Sequence, residues 1–337
     1  MAGSPPVPGA PTIECLTWTP TLIRSSTSLF SDLDVEVVPD APLGAMTWYG
    51  IGGRADLLVR PNNVDAVATL VSRCHRSGTP LHVFGRGANL LVTDEPIDGI
   101  VVRLDTAALR ETKYNRSGEI HSMRAMAGAD LPRTVIDTTR RGLAGLAQMA
   151  GIPGSIGGAI RMNAGGAYGC IGDSIRSVTC ITTRGDIVTY PAEELRFEYR
   201  STNIPDPLII SATFDLVAGD PVALREKVKE IFRFKKSTQP LADHSAGCTF
   251  KNPIDPVTQE RVSAGKLIDE AGLKGHTIGG ATVSRQHANF IVTEPGALAD
   301  HVLQLLELIR RQVYDHCGIE IEQEIVVWRR GDEGDTP

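Results

Sequence analysis

Three features that would direct a chain to a membrane, to a disulfide-stabilised fold or to a metal are missing from these 337 residues. No apolar run approaches the roughly 20 residues that a membrane-spanning helix requires. CxxC pairs and zinc-type spacings are absent, so we predict no metal site and expect the reduced thiols of a cytoplasmic protein. The cysteines concerned are Cys15, Cys74, Cys170, Cys180, Cys248 and Cys317.

An excess of positive charge is missing as well. The 34 Lys and Arg residues are outnumbered by 40 Asp and Glu, for a formal net charge of −6, which argues against nucleic acid or an anionic membrane as the main partner. Residues 1–31 are rich in Pro, Ser and Thr and lack a basic segment followed by an apolar one. They are therefore predicted to form a disordered extension and not a signal peptide.

Glycine, by contrast, is concentrated in residues 151–169, GIPGSIGGAIRMNAGGAYG, where it supplies seven of nineteen positions. Such a segment leaves backbone N–H groups uncovered, so that a flat or phosphorylated ligand can lie directly on the main chain. Ile152, Ile156, Ile160 and Met162 interrupt the glycines, and a flexible linker would be poor in such residues. We expect a packed, ligand-wrapping loop; the alternative is a buried glycine-rich crossing without a ligand.

A second glycine loop follows a predicted β-α-β unit. The unit consists of a strand over residues 55–59, a helix that begins after Asn63 and ends at Gly78, and a strand over residues 81–84. The loop, residues 85–91 or GRGANLL, follows this strand directly, and its amides could cradle a pyrophosphate. It lacks the third glycine of the dinucleotide fingerprint, so an ordinary tight turn is the alternative.

The sequence of the C-terminal half indicates helices and a final strand. A helix begins after Asp220, and its basic end, Lys235 and Lys236, is expected to be solvated. Residues 319–328 alternate between apolar and acidic side chains, which predicts a strand with Glu324 on its polar side.

Several blocks in order make the chain resemble the UDP-N-acetylenolpyruvoylglucosamine reductase family, the flavoenzymes of peptidoglycan precursor synthesis. The blocks are YGIGGRADLLV, GRGANLL, the glycine segment itself, YRST, SAGCTFKNP and IEQEIVVW. The resemblance covers roughly residues 35–328. The short run between Gly166 and Arg200 resembles the family's second type, which lacks an additional substrate-covering loop.

The resemblance implies an α+β architecture: a two-subdomain FAD-binding fold of the vanillyl-alcohol-oxidase (PCMH) type and a C-terminal α+β substrate domain. We place the subdomains at 32–104 and 105–218, the substrate domain at 219–328 and a tail at 329–337. The last strand of the substrate domain could return to the first subdomain. Hydride would pass from NADPH to FAD, and from FAD to the vinyl carbon of UDP-N-acetylglucosamine enolpyruvate, giving UDP-N-acetylmuramate.

The resemblance also implies three catalytic residues. Arg200 in YRST would bind the substrate carboxylate, for which a permanently charged, bidentate guanidinium is well suited. Glu324 would work beside it on the same carboxyl group, in a protonated or hydrogen-bonded form. From alternation alone, however, Glu324 would lie on a solvated edge.

Cys248 stands where the family commonly has a serine that donates the proton. A thiol is several pKa units more acidic than an alkyl hydroxyl, so it can protonate a developing carbanion more readily. We therefore predict that Cys248 is the general acid. A buried, inert thiol is the usual fate of a lone cysteine and is the alternative.

The remaining site residues follow from the same resemblance. FAD is expected to be held without a covalent bond, since GRGANLL offers no histidine or cysteine, and Asn252 and Lys251 are expected to contact the diphosphate of the substrate. The residues expected to contact FAD are Ile51, Gly52, Gly53, Gly85, Arg86, Gly87, Ala88, Asn89, Leu90, Gly151, Pro153, Ser155, Ile156 and Gly158.

Two other functions remain open at this level. One is an oxidase or dehydrogenase of the wider flavin superfamily, which would pass electrons to oxygen or a carrier. The other is a flavin- or nucleotide-binding module without catalysis, in which Arg200, Cys248 and Glu324 would not meet. No oligomeric partner is evident from the sequence.

Overall fold

A computed structural model of the chain describes residues 28–117 and 120–334. Most of the predicted N-terminal extension, residues 1–27, lies outside the described residues, as does Cys15. Leu29 and Phe30 were also assigned to that extension, but both are buried in the main core cluster. None of the described helices is sufficiently long and apolar to cross a membrane.

The first unit is a four-stranded sheet with a helix against it. Its elements are β1 (Val35–Ala41), α1 (Leu43–Met46), β2 (Ala55–Pro61), α2 (Val64–Ser77), β3 (Leu81–Phe84), β4 (Leu90–Val92) and β5 (Ile97–Arg103). The strand order is β1-β2-β5-β3, with β5 parallel to both β2 and β3. This arrangement confirms the β-α-β unit.

Helix α2 begins and ends where its caps predict. The side chain of Asn63 accepts a hydrogen bond from the N–H of Ala66, and Gly78 takes the left-handed conformation (φ 65°) that closes a helix. Val67, Leu70 and Val71 form the buried stripe that holds the helix against the sheet.

The middle unit is a larger antiparallel sheet. Its elements are β6 (Thr112–Ser117), β7 (Ile120–Met126), α3 (Leu131–Arg140), β8 (Leu143–Ala144), α4 (Ile156–Arg161), β9 (Gly165–Gly166), β10 (Gly169–Cys170), β11 (Ile175–Ile181), β12 (Ile187–Pro191), β13 (Phe197–Glu198), β14 (Ser201–Thr202) and β15 (Leu208–Ala218). The sheet order is β12-β11-β15-β7-β6, and β11 and β12 form an antiparallel hairpin.

The third unit contains α5 (Pro221–Thr238), α6 (Ala264–Glu270), β16 (Thr277–Ile278), β17 (Ala281–Val283), β18 (Ile291–Thr293), α7 (Ala299–Cys317) and β19 (Val326–Trp328). Helix α5 contacts α3, and its Ile231 is buried in the same core cluster as the middle sheet. A separate core cluster combines residues between Ala246 and Ile325 with Tyr49, Ile51 and Leu91 of the first unit. We therefore propose that the substrate unit starts after α5 and not at residue 219.

The final strand is shorter than predicted. Only β19 is regular, and it pairs in parallel with β4 of the first unit. The preceding residues are extended but pair with a loop instead of a strand: Lys251 N–H donates to Glu322 C=O, and Glu324 N–H donates to Thr249 C=O, both at 2.8 Å. This pairing places residue 324 beside residues 248–251.

Candidate active site

The glycine segment forms a short helix followed by a small hairpin. Ser155 caps α4 by accepting a hydrogen bond from Gly158 N–H at 3.3 Å, and Ile156 and Ile160 are completely buried. The segment then turns through β9 and β10. Burial of these isoleucines confirms a packed loop and excludes a free linker.

The two glycine loops, residues 85–91 and 151–158, lie against each other. A Cβ added to Gly85 would sit 2.9 Å from the Ser155 hydroxyl oxygen, so only glycine allows this approach. Asp130 also links the two loops. Its backbone pairs with that of Ser155, and its carboxylate forms a 2.8 Å ion pair with Arg86. We call these two loops the cradle.

The cradle fits a flat, anionic dinucleotide such as FAD. Within the described part of the chain, the N–H groups of Arg86, Gly87 and Ala88 donate to no protein acceptor, and successive free amides suit a pyrophosphate. A Cβ added to Gly154 would have no described residue within 4 Å except its two chain neighbours. A cleft of about 390 Å³ is lined by Arg86 and Arg103.

Other residues predicted to contact FAD lie in or next to β4. Ile51 is buried, and a Cβ on Gly52 would lie 2.1 Å from Val92 O. Gly53 N–H donates to Thr93 C=O at 2.8 Å. Leu90 is buried in β4. These residues are therefore held by protein contacts, and close backbone approach explains both glycines.

Asn89 connects the cradle to the C-terminal segment. Its side-chain amide donates to Glu324 C=O at 3.1 Å, and its carbonyl accepts from Val326 N–H at 2.9 Å. Gly151, at the other end of the cradle, packs on the aliphatic stem of Lys235, where an added Cβ would lie 3.0 Å from Cδ. Pro153, Ala88 and Gly158 are partly or fully exposed.

Arg200 and Glu324 meet across 124 positions of sequence. Arg200 Nε donates to Glu324 Oε1 at 2.5 Å, with side-chain exposures of 18% and 11%. Arg200 Nη1 also donates to Gly165 C=O at 3.0 Å. Burial raises the pKa of Glu324, while the charges of Arg200 and Lys251 lower it. The solvated position that alternation suggested for Glu324 is therefore wrong.

The backbone holds Arg200 in an unusual conformation. Arg200 has φ 57° in the turn between β13 and β14, a left-handed value that costs a non-glycine residue energy. Asn163, from the glycine segment, donates to Glu198 C=O at 2.8 Å and accepts from Gly172 N–H at 3.2 Å. Asn163 thus ties the turn to the glycine segment, a role that the sequence did not suggest.

Cys248 lies beside this ion pair. Burial, followed by the negative charge of Glu324, raises the pKa of the thiol to about 12; Arg200, a hydrogen bond with Asn289 and the charge of Lys235 oppose the rise. The side chain of Asn289 also bonds both backbone groups of Phe250, at 2.9 and 2.8 Å. The loop that carries Cys248 is therefore fixed, and its thiol remains protonated at neutral pH.

Lys235 completes the group, which we call the polar cluster: Arg200, Lys235, Cys248 and Glu324. Its ammonium donates to Ala150 C=O at 2.7 Å. Burial and the charge of Arg200 lower the pKa of Lys235 to about 8. The prediction of a solvated helix end is wrong for Lys235, although Lys236 is exposed. Helix periodicity could not identify Lys235, because its partners come from the glycine segment.

Asn252 and Lys251 have protein partners beside the cluster. Asn252 Oδ1 accepts from Ala264 N–H at 2.9 Å, at the start of α6, and its own N–H donates to the Tyr199 hydroxyl at 3.1 Å. Lys251 pairs with Glu322 at 2.7 Å. Tyr199, a residue that no sequence pattern indicated, thereby joins the YRST turn to the C-terminal unit.

Comparisons with known proteins agree with this geometry. Residues 55–190 match an FAD binding domain, and residues 239–328 match the C-terminal domain of UDP-N-acetylenolpyruvoylglucosamine reductase. The chain is 36% identical over 304 residues to the reductase of that name from Moorella thermoacetica, covering 90% of this chain and 97% of the relative. It is 37% identical over 310 residues to that of Heliobacterium modesticaldum, covering 91% and 95%.

A solved structure of such a reductase has a similar fold. The crystal structure of the reductase from Thermus caldophilus superposes with a TM-score of 0.70 at 33% identity, over 88% of this chain and 99% of that one.

Proposed function

The chain belongs to the UDP-N-acetylenolpyruvoylglucosamine reductase family, and from this premise we propose that it uses NADPH to reduce UDP-N-acetylglucosamine enolpyruvate, with Cys248 as the proton donor. Members are FAD-dependent oxidoreductases of peptidoglycan synthesis. Bound FAD supplies the hydride for the vinyl carbon of the substrate. The observation that carries the proposal is the meeting of Arg200, Glu324 and Cys248 beside the cradle.

Arg200 binds and polarises the substrate in this proposal. Its guanidinium pairs with the substrate carboxylate and draws electron density toward it, which activates the vinyl carbon for hydride addition. The contact with Gly165 and the left-handed turn hold the guanidinium in place before substrate arrives. Such preorganisation avoids reorientation of the charge during the reaction.

Cys248 completes the reaction by protonation. Hydride addition leaves negative charge on the carbon that bears the carboxylate; the S–H bond breaks as a C–H bond forms there, leaving a thiolate. Because the raised pKa keeps Cys248 as a thiol, the proton is available at neutral pH. Arg200 and Lys235 lower the energy of the thiolate, which then regains a proton from solvent.

The diphosphate of the substrate is assigned to the basic and amide groups next to the cluster. Lys251 bonds to Glu322 through its backbone and Asn252 follows it in the chain, so both are close to Glu324 but outside the polar cluster. If Lys251 moved from Glu322 to a phosphate oxygen of the substrate, it would keep one charge-assisted hydrogen bond.

An anaerobic experiment tests the function directly. The purified holoenzyme should show a flavin spectrum that bleaches with NADPH and recovers when the enolpyruvyl sugar is added. UDP-N-acetylglucosamine, which lacks the vinyl group, is the matched control and should leave the flavin bleached. Recovery with oxygen but not with the enolpyruvyl sugar would favour the oxidase alternative, and failure of NADPH to bleach the flavin would contradict the choice of reductant.

A further inference from the structure

The ion pair of Arg200 and Glu324 occupies the group that the substrate needs. We propose that the substrate carboxylate takes Arg200 from Glu324 and that Glu324 gains a proton in exchange, so that substrate binding takes up one proton. This inference rests on the proposed function and adds a property of its binding step.

The guanidinium of Arg200 already has two protein partners. A carboxylate is bound bidentately either by Nε with one terminal nitrogen or by the two terminal nitrogens. Nε is paired with Glu324 at 2.5 Å, and Nη1 is bonded to Gly165 C=O at 3.0 Å. A second carboxylate can therefore bind in a fork only by displacing one of these partners or by sharing a nitrogen with it.

Electrostatics selects Glu324 as the group that changes. Two carboxylates at one guanidinium repel each other, and where like charges share a site the proton affinity of one rises strongly. Gly165 O carries no charge that repels the substrate. The side chain of Glu324 is only 11% exposed, so solvent screens the repulsion between the two carboxylates poorly.

Among the residues that the structure describes, Glu324 has no second full counterion. The charged and titratable groups that act on it are Arg200, Lys251 and Cys248. Lys251 already pairs with Glu322, and Cys248 is a neutral thiol. Lys235 faces Arg200 and Cys248, with its ammonium on Ala150 O. Once Arg200 is neutralised by the substrate, burial favours the protonated form of Glu324.

The protonated acid has a use at this position. As a neutral group, Glu324 can donate its O–H to the substrate carboxylate, whereas as an anion it would oppose the negative charge that hydride addition produces. In this step the carboxylate of Glu324 takes one proton from solvent as the substrate carboxylate binds to Arg200. The product is a carboxylic acid at Glu324 beside a bound substrate carboxylate.

The linkage has a definite sign. Because the complex holds one more proton than the free partners, binding strengthens as pH falls. Between the pKa of Glu324 in the free enzyme and its higher pKa in the complex, the dissociation constant rises about tenfold for each unit of pH.

Isothermal titration of the oxidised holoenzyme, without NADPH, measures the proton directly. The enolpyruvyl sugar is titrated at pH 7 in several buffers that differ in ionisation enthalpy, and the slope of binding enthalpy against that quantity counts the protons taken up. We expect a slope near one for the wild type and near zero for Glu324→Gln. Glu320→Gln, an exposed change in the same segment, should keep the wild-type slope.

UDP-N-acetylglucosamine separates the carboxylate from the rest of the ligand. It carries the diphosphate but no carboxylate, so it should bind without the proton that Glu324 takes up, and any uptake it causes reports other groups such as Lys235. A wild-type slope near zero, or uptake that persists in Glu324→Gln with an intact flavin spectrum, would overturn the inference. Failure of the function itself would appear separately, as reduced flavin that the enolpyruvyl sugar does not reoxidise.

Discussion

The cradle and the polar cluster are adjacent, but they are built by different means. The cradle uses backbone: its requirement is space, as at Gly85, where a single Cβ would meet Ser155 at 2.9 Å. The cluster uses side chains: its requirement is charge, as in the enclosed pair of Arg200 and Glu324. Cofactor affinity should therefore respond to added volume, and chemistry to removed charge.

The largest effect on chemistry, as distinct from cofactor affinity, is expected for Arg200→Met. Loss of the guanidinium removes the group that binds the substrate carboxylate and leaves Glu324 buried without its counterion. We expect reoxidation of the reduced flavin by substrate to slow about 10³-fold, in line with the loss of a preorganised electrostatic group. Stopped-flow absorbance of the flavin measures the rate. Arg196→Met, at an exposed position nearby, is the control; an unchanged rate in Arg200→Met would remove Arg200 from the mechanism.

Cys248→Ala should act on one half-reaction only. We expect flavin reduction by NADPH to proceed near the wild-type rate, while reoxidation by substrate slows about 10²-fold, the usual contribution of a general acid. Cys248→Ser should retain much of the activity, because a hydroxyl can occupy the same position. Cys317→Ala, at an exposed thiol on α7, should leave both rates unchanged. Fast reoxidation in Cys248→Ala would assign the proton to another donor.

Gly85→Ala tests the cradle by volume alone. The added methyl group must push Ser155 away from the first glycine loop, and overpacking of this kind costs about 1–3 kcal/mol. We expect the affinity for FAD to fall about tenfold or more, measured by fluorescence titration of the apoprotein. Gly166→Ala, where no described residue other than the two chain neighbours comes within 4 Å of the new Cβ, should bind FAD normally. Equal affinities in the two variants would contradict the assignment of the cradle.

The smallest effect is expected from the titration of Lys235. Because burial lowers its pKa to about 8, Lys235 loses its positive charge as pH rises through that value. We expect the affinity for the anionic substrate to weaken a fewfold, about 1 kcal/mol, across pH 7 to 9. Lys235→Met should lose the inflection near pH 8, whereas Lys236→Met, at an exposed neighbour, should keep it. An inflection that survives in Lys235→Met would belong to another group.

Local signals predicted most of the scaffold. Asn63 and Gly78 bound α2 because cap geometry depends on neighbouring residues only. Periodicity gave the wrong environment for Glu324 and for Lys235, because it describes one strand or helix and contains no information about the element that packs on it. Asn163 and Tyr199 were missed for the same reason: each acts by bonding a backbone group or neighbour from a different segment.

The order of the sequence blocks was sufficient to predict the family, and the glycine content was sufficient to predict the packed loop at residues 151–169, because both are properties of the chain itself. Only the tertiary structure decided that Glu324 is enclosed and paired with Arg200, and that Lys235 lies beside Cys248. The reason is physical: the charge state and accessibility of a side chain depend on which distant segments exclude water from it.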